Sequence, residues 1–465
     1  MKNFFITTAI DYANDVIHIG HAYQKVLADI LARYHRLLGE EVFFLTGVDE
    51  HGSKVEEAAR EAGQDPARFV DLVVAKNKEQ LAALNISFDR YIRTTDKDHI
   101  ARVVDFYLRV KNNGDIYRAP FEGLYCSGCE EYKTESELDN GHCLLHPNLA
   151  IEKISEENYF FAWSKYQDFL KDHIKSNPDF IKPESRAKEM LAFLDRGLND
   201  VSISRQNVTW GIPVPDDPDQ TLYVWFDALI NYLTGAPKGF WPADLHLLGK
   251  DNTRQHALFW PAMLKSAGYP LPKTIYAHGF LTLDDQKISK SLGNIIQPKE
   301  LVNKFGSDGA RYLLSTAKTM SGDGDISWEK MIKKYNADLA NGLGNLVARL
   351  AKLCQLSEQS FNSHCPEPDK ILTGEFGKLI DDYQIISALN FIWEKIRLID
   401  QNLNRTRPWQ IKDKRKMAAS LTGLVDQLLL VAVLLSPFLP QSAKIITQTF
   451  SQKKINPPEA LFIRK

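Results

Sequence analysis

The stretch from Phe4 to Leu45, FFITTAIDYANDVIHIGHAYQKVLADILARYHRLLGEEVFFL, decides the fold. Phe4-Phe5-Ile6-Thr7-Thr8 reads as a short buried strand. From Gly20 to Leu38, the residues Val26, Leu27, Ile30, Leu31, Tyr34, Leu37 and Leu38 fall on one helical stripe, and Gly39 stands where a helix should stop. Val42 to Leu45 is the next strand. Strand, helix and strand in this order open a doubly wound nucleotide-binding sheet.

Working outward, a helical pattern runs to about Asn112, and the texture changes at Ile116–Cys129 to Gly, Pro, Tyr and Cys. From there to about Pro215 the α/β alternation lapses, as an inserted domain would make it. Alternation resumes with predicted strands at Leu222–Trp225, Asp244–Gly249 and Thr274–Phe280. From about Glu329 the pattern is almost purely helical, broken once by the proline-bearing Ser360–Asp369. The expected boundaries are 1–115 and 216–285 for the two halves of the sheet domain, with 116–215 the insertion. A loop region at 286–330 and a helical domain at 331–465 complete the division.

At 465 residues the chain is too long for one core. With 44 % hydrophobic and 25 % charged residues it reads as an ordinary soluble protein, not a disordered one. A net charge of −2 gives no global field for nucleic acid, so any RNA site must be a local patch. Met1–Ala9 lacks the long apolar stretch of a secretory signal. The most apolar run, Leu428–Leu435, is far shorter than the roughly 20 residues that span a membrane, and is expected inside a helical bundle. Five cysteines are an odd count, and three lie within residues 126–143. That favours a metal site in a reducing cytosol over a disulfide framework.

Three motifs carry chemistry. His18-Ile19-Gly20-His21 occupies the turn between the first strand and the first helix, where helix N–H groups attract phosphate. Two imidazoles three apart can donate to a nucleoside triphosphate; two histidines merely capping a helix fit the tetrapeptide equally well. Lys287-Ile288-Ser289-Lys290-Ser291 follows the resumed α/β half. Its two lysines can approach a departing pyrophosphate from a mobile loop, although such a run is usually only a solvated loop. Cys126-x-x-Cys129 is followed after thirteen residues by Cys143-x-x-His146. These paired knuckles suit a closed tetrahedral zinc site with no position open for catalysis. Gly128 and Gly141 ease the turns.

Taken together, the histidine and lysine motifs at opposite ends of a split sheet resemble the two ATP motifs of class I aminoacyl-tRNA synthetases. Isoleucine at 288 replaces the usual methionine. The clustered knuckle and the lack of room for a large editing insertion make the methionyl-tRNA synthetases the best match, over nearly the whole chain. The fold this implies is α/β, a Rossmann-type doubly wound parallel sheet split by a zinc-binding connective insertion and followed by a C-terminal helical bundle. The implied activity is methionine–tRNA ligation, with one structural zinc per chain and magnesium bound with ATP.

Carried over by position, Tyr223-Val-Trp-Phe-Asp-Ala228 and Asn231-Tyr232 resemble the methionine-pocket stretch. Trp225, Ala228, Leu229 and Tyr232 would line the pocket, with Ile10 and Tyr12 from the first loop and His256 completing it. Asp49 would bind the substrate ammonium. Aromatic walls suit a polarizable thioether, while any one of these rings alone reads as core packing. Asn345, Arg349 and Trp409 match anticodon-reading positions for tRNA(Met), with the basic run Arg405–Lys416 holding phosphates; a solvated helix face and a packed tryptophan are the plain alternative. Two positions depart from the pattern: Asp11, where the family usually has tyrosine, and Asn252, where it usually has isoleucine. His18, His21, Lys287 and Lys290 are the expected catalytic and ATP-binding set. A cytoplasmic monomer without membrane association is expected. The rivals are a non-catalytic tRNA-binding paralogue and a class I ligase for another small apolar amino acid.

Overall fold

The structure is a computed structural model. It describes residues 2–129, 131–133, 135–144, 146–206, 208–288, 293–363 and 372–465, without the side chains of Phe121, Glu131, Tyr132, Ser136, Ile154 and Lys287. Among the described residues the main sheet has seven strands. They are β1 (Asn3–Thr8), β2 (Asp11–Tyr12), β3 (Glu41–Asp49), β4 (Arg90–Arg93), β5 (Ile181–Lys182), β6 (Leu245–Gly249) and β7 (Thr274–His278). All are paired in parallel in the order β5-β7-β6-β1-β3-β2, with β4 also on β3. Ile6 of β1 lies opposite Leu245 on one side and Phe44 on the other. The chain therefore builds outward from β1 in both directions. The order reverses between β1 and β6, and the carboxyl ends of strands at such a switch point are where open α/β sheets bind ligands.

Helix α1 (Ile19–Leu37) joins β1 to β3 and ends before Gly39, whose φ of 78° provides the left-handed stop read from the sequence. It is buried on most sides, Gln24, Lys25 and Asp29 included, because it is packed between the sheet and helix α2 (Pro298–Ser315).

β3 runs four residues past the predicted Leu45, through Gly47 to Asp49. A Cβ on Gly47 would stand 2.2 Å from the Ile92 carbonyl oxygen, so the residue that interrupts the apolar run is what lets β4 approach. β4 itself, bounded by arginines, carries too little apolar signal to be read from sequence.

In the insertion, Ile116–Cys126 and Glu152–Phe161 form a long antiparallel pair, flanked by Glu131–Lys133 and Val201–Ser202. Two expectations need correction. β5, within residues 116–215, joins the main sheet through β7. Leu222–Trp225 is not a strand: a small antiparallel strand ends at Leu222, and Val224 begins the helix Val224–Ala228. A four-residue apolar run fits either element, and periodicity alone could not separate them.

The helical region contains α3 (Asn345–Ser357), α4 (Ile385–Thr406), α5 (Lys414–Leu435) and α6 (Pro440–Phe450). By length and composition α5 could cross a membrane, but Leu428, Leu429, Val431, Leu434 and Leu435 are fully buried against its neighbours. The bundle shares one apolar core with α1, in which Tyr34 meets Phe376.

Arg311 of α2, wholly buried, ties the parts together. It lies 2.7 Å from Asp29 of α1 and donates to the carbonyls of Pro437 and Phe438 at 2.8 Å and of Leu84 at 3.2 Å. Burial alone would raise the Asp29 carboxyl, but Arg311 and Arg33 outweigh it and hold the group below its ordinary range.

Candidate active site

The histidine turn lies at the switch point, as N-cap and first turn of α1. The His18 ring accepts from the Gly20 N–H through Nδ1 at 3.0 Å, and His21 Nδ1 accepts from the His18 N–H at 3.2 Å. This reciprocal capping box settles which nitrogen carries the proton in each ring. Both Nδ1 atoms accept, so both Nε2 atoms are N–H donors at the positive end of α1. Capping and phosphate binding, alternatives in the sequence, are thus compatible: the first prepares the donors for the second. Burial, reinforced at His18 by His21 and at His21 by Lys25, lowers both rings to about 3. They are neutral near pH 7. Gly20 is required here, since a Cβ would stand 2.7 Å from His18 Cε1.

The structure joins several of the residues expected to line a pocket in two groups, Tyr12 with Asp49 and Trp225 and Tyr232 with His256. Tyr12 pairs in register with Asp49, and the Asp49 carbonyl accepts from the Ala13 N–H at 2.7 Å. Asp49 is buried; Ile10 and Tyr12 are half-buried. His256 Nδ1 donates to the Asn252 carbonyl at 2.9 Å, which leaves Nε2 to accept from the Tyr232 hydroxyl at 2.7 Å. Burial lowers His256 to about 4 and raises Tyr232. Trp225 stands edge-on to His256 with ring centres 6.1 Å apart, and its Nε1 is buried without a hydrogen-bond partner. Ala228 and Leu229 are buried behind it. Asn252 is half-buried, and its main chain anchors His256.

A further network has no signature in the sequence. Asp227 is 1 % exposed and sits between two imidazoles, His51 Nδ1 at 2.6 Å and His99 Nε2 at 2.8 Å. Burial would raise its carboxyl, yet His51 and His99 hold it at about 2. His51 follows Asp49 by two residues and Asp227 follows Trp225 by two, so the network ties the segments that carry Asp49 and Trp225 together. His99 comes from the helix Lys97–Asn112, far from any motif. Glu50, also fully buried, accepts from Arg93 Nε at 2.6 Å and stiffens the same loop. Each residue reads singly as ordinary polar chain; only the fold brings them together.

The backbone of Lys287 pairs with Thr282, and Ile288 is buried in the core. The Lys287 side chain and the whole of Lys290 lie outside the described residues.

In the insertion, the ligand atoms of Cys126, Cys129, Cys143 and His146 lie within 4.8 Å of one another. Cys129 Sγ is 3.5 Å from Cys143 Sγ and 3.3 Å from His146 Nδ1. Tetrahedral bonds of about 2.3 Å to sulfur imply edges near these lengths. A Cβ on Gly128 would stand 2.4 Å from the His146 ring, so the knuckle closes only around glycine. The four residues can hold one metal ion. Lys54 ties the knuckle to the first loop: its ammonium donates to the Gly128 carbonyl at 2.6 Å and lies 4.6 Å from the centre of the Tyr12 ring.

At the bundle end Asn345 is exposed, one turn before Arg349 on α3. Arg349 donates to Asp400 at 2.7 Å and Asn404 at 2.9 Å on α4. Trp409 follows the end of that helix and is 49 % exposed, so about half of its ring surface faces outward.

A family profile described as tRNA synthetases class I (M) matches residues 4–149 and 131–351. A methionine–tRNA ligase from Thermotoga maritima is 41 % identical over 96 % of this chain and 75 % of its own length. One from Synechocystis is 42 % identical over 96 % of this chain and 90 % of its own length. The Mycobacterium tuberculosis methionyl-tRNA synthetase in complex with methionyl-adenylate superposes with a TM-score of 0.91 at 36 % identity, covering all of both chains. Its apo form gives 0.82 at 34 % identity, over 100 % of this chain and 98 % of the other. With these matches spanning nearly the whole of a parallel sheet, an inserted knuckle and a helical bundle, the chain belongs to the methionine–tRNA ligases of the class I tRNA synthetase family.

Proposed function

We propose that this chain activates methionine with ATP and transfers the methionyl group to tRNA(Met). The carboxylate oxygen of methionine bonds to the α-phosphorus of ATP, the α–β phosphoanhydride breaks, and pyrophosphate leaves. The terminal ribose hydroxyl of tRNA then attacks the adenylate carbonyl and AMP departs.

The observation that carries this reading is the pair of neutral, reciprocally capped histidines beside an aromatic pocket, at one switch point. His18 and His21 offer fixed Nε2–H donors to the phosphates, where charge shifts during the displacement. Asp49 takes the methionine ammonium, and Trp225, Tyr232, His256, Ile10, Tyr12, Ala228 and Leu229 enclose the thioether. Lys287 and Lys290 belong to the proposal on their sequence pattern and would hold the pyrophosphate. Magnesium bound with ATP would neutralise phosphate charge.

Zinc is the proposed occupant of the Cys126, Cys129, Cys143 and His146 cluster, supported by its soft donors and tetrahedral edges. There it would brace the knuckle. Asn345, Arg349 and Trp409 would read the anticodon, supported by the exposed ring and adjacent polar groups. A monomeric state is part of the same proposal, and light scattering that reads twice the chain mass would overturn it.

ATP–pyrophosphate exchange with each of the twenty amino acids tests the whole. Exchange with methionine alone is the expected result. Exchange with another amino acid would reassign the pocket, and exchange with none would favour a non-catalytic tRNA-binding role.

A further inference from the structure

Asp11, one of the two positions that depart from the family pattern, has a partner that explains it. Its carboxylate lies 2.7 Å from the ammonium of Lys25, with the two side chains 9 % and 1 % exposed. The same ammonium donates to the Ala9 carbonyl at 3.1 Å. A single buried cation on α1, one turn beyond His21, therefore grips both neighbours of Ile10. Asp11 also leads directly into Tyr12, which pairs with Asp49. Asp11 pairs in register with Val48, the neighbour of Asp49, and Lys25 follows His21 by four residues on α1, so the ion pair joins the first loop to the helix of the histidines. It thus stands between the phosphate-binding turn and the amino-acid pocket.

Resting on the function proposed above, we infer that the Lys25–Asp11 pair is a positioning device that fixes the first-loop wall of the methionine pocket relative to the ATP-binding histidines. Neither group need touch a substrate. Misplacing a reacting group by about an ångström can cost roughly a hundredfold in rate. A loop of this length, left to itself, has that freedom. Removing either partner leaves the other charge buried and uncompensated, which also pushes the loop away from α1.

The test is methionine-dependent ATP–pyrophosphate exchange, titrating each substrate, on Lys25→Met, Asp11→Ala, the double variant and Asp11→Asn. Rates are taken per folded chain, from near-ultraviolet circular dichroism. Each single variant should raise the methionine KM about tenfold and lower kcat by about tenfold or more. The double variant should lose no more than the worse single, because both act through one bond. Asp11→Asn, whose amide oxygen still accepts from Lys25 but leaves its charge uncompensated, should fall between wild type and Asp11→Ala in both constants. Singles that melt early yet retain wild-type KM and kcat would reduce the pair to a structural bond and overturn the inference. If a single variant does not fold, the double variant, which has no unpaired charge, decides: a raised methionine KM upholds the inference and an unchanged one overturns it. A wild-type chain that exchanges with a different amino acid overturns the proposed substrate, and the same titrations with that amino acid decide on the pair. A chain that exchanges with none removes both.

Discussion

Replacing Asp227 with asparagine strikes a buried carboxylate that receives two imidazoles beside the proposed methionine pocket. A carboxyl ordinarily near 3.8 and held here at about 2 contributes about 2 kcal/mol to folding. Asparagine also swaps one acceptor oxygen for an NH2 group, so a ring N–H from His51 or His99 meets another donor. A buried polar group without its partner adds about 1–3 kcal/mol. The expected destabilisation at pH 7 is thus about 3–5 kcal/mol, read as a shift in the urea midpoint followed by tryptophan fluorescence. The sign with pH is fixed. A carboxyl whose folded value is depressed stabilises above its unfolded value and loses that contribution as pH falls toward its folded one. The gap between wild type and Asp227→Asn should therefore hold from pH 7 to about 4 and narrow between about 4 and 2. Because Asp227 braces the helix of Trp225 against the loop of Asp49, the methionine KM should rise about tenfold. A shift below about 0.5 kcal/mol, within the range of ordinary surface substitutions, together with an unchanged KM would refute the reasoning.

Tyr232→Phe leaves the buried His256 Nε2 without a donor and should raise the methionine KM by about 1–2 kcal/mol in binding, with kcat little changed. An unaltered KM would remove the Tyr232–His256 bond from the pocket. The neutral histidines set a second pH effect: the unfolded chain takes protons near 6.5, whereas folded His18 and His21 take theirs only at about 3. Stability should fall as pH drops from about 6.5 toward 3, and less steeply in His18→Asn/His21→Asn; equal slopes would contradict the burial argument. Metal analysis should find about one zinc per chain, and Gly128→Ala, which drives a methyl into His146, should lose it; full occupancy in that variant would refute the knuckle geometry. Trp409→Ala should weaken aminoacylation through the tRNA KM while leaving exchange and melting unchanged, and a large fall in melting temperature would return the ring to a structural role.

The sequence made legible what is local and periodic. β1, α1 and the start of β3 follow from one apolar stripe and two strand-like runs, and the knuckle follows from ligand spacing. The phosphate turn was visible as a motif, but the protonation of its rings was not, because that depends on which backbone N–H each Nδ1 meets. β4 is not legible because two of its four residues are arginine, and Leu222–Trp225 is ambiguous because four apolar residues suit a helix as well as a strand. The His51–Asp227–His99 clamp joins residues 176 and 128 positions apart. No window of sequence holds it, and histidine far from a motif carries no mark of its partner. Asp11 illustrates the limit differently: a departure when read alone, it is half of a pair once α1 brings Lys25 beneath it.

The buried Arg311 has a consequence for modularity. It bonds to α1 of the sheet and to two carbonyls at the entry to α6, inside a core that runs unbroken from Tyr34 to Phe438. A cut near residue 330 would leave its guanidinium without the Pro437 and Phe438 carbonyls, and would bare apolar faces on both fragments. The helical end of this chain is therefore not a detachable reader appended to a self-sufficient catalyst. Gene fragments ending at that point should yield aggregates, and recombination between relatives should tolerate crossovers in the insertion far better than crossovers between sheet and bundle.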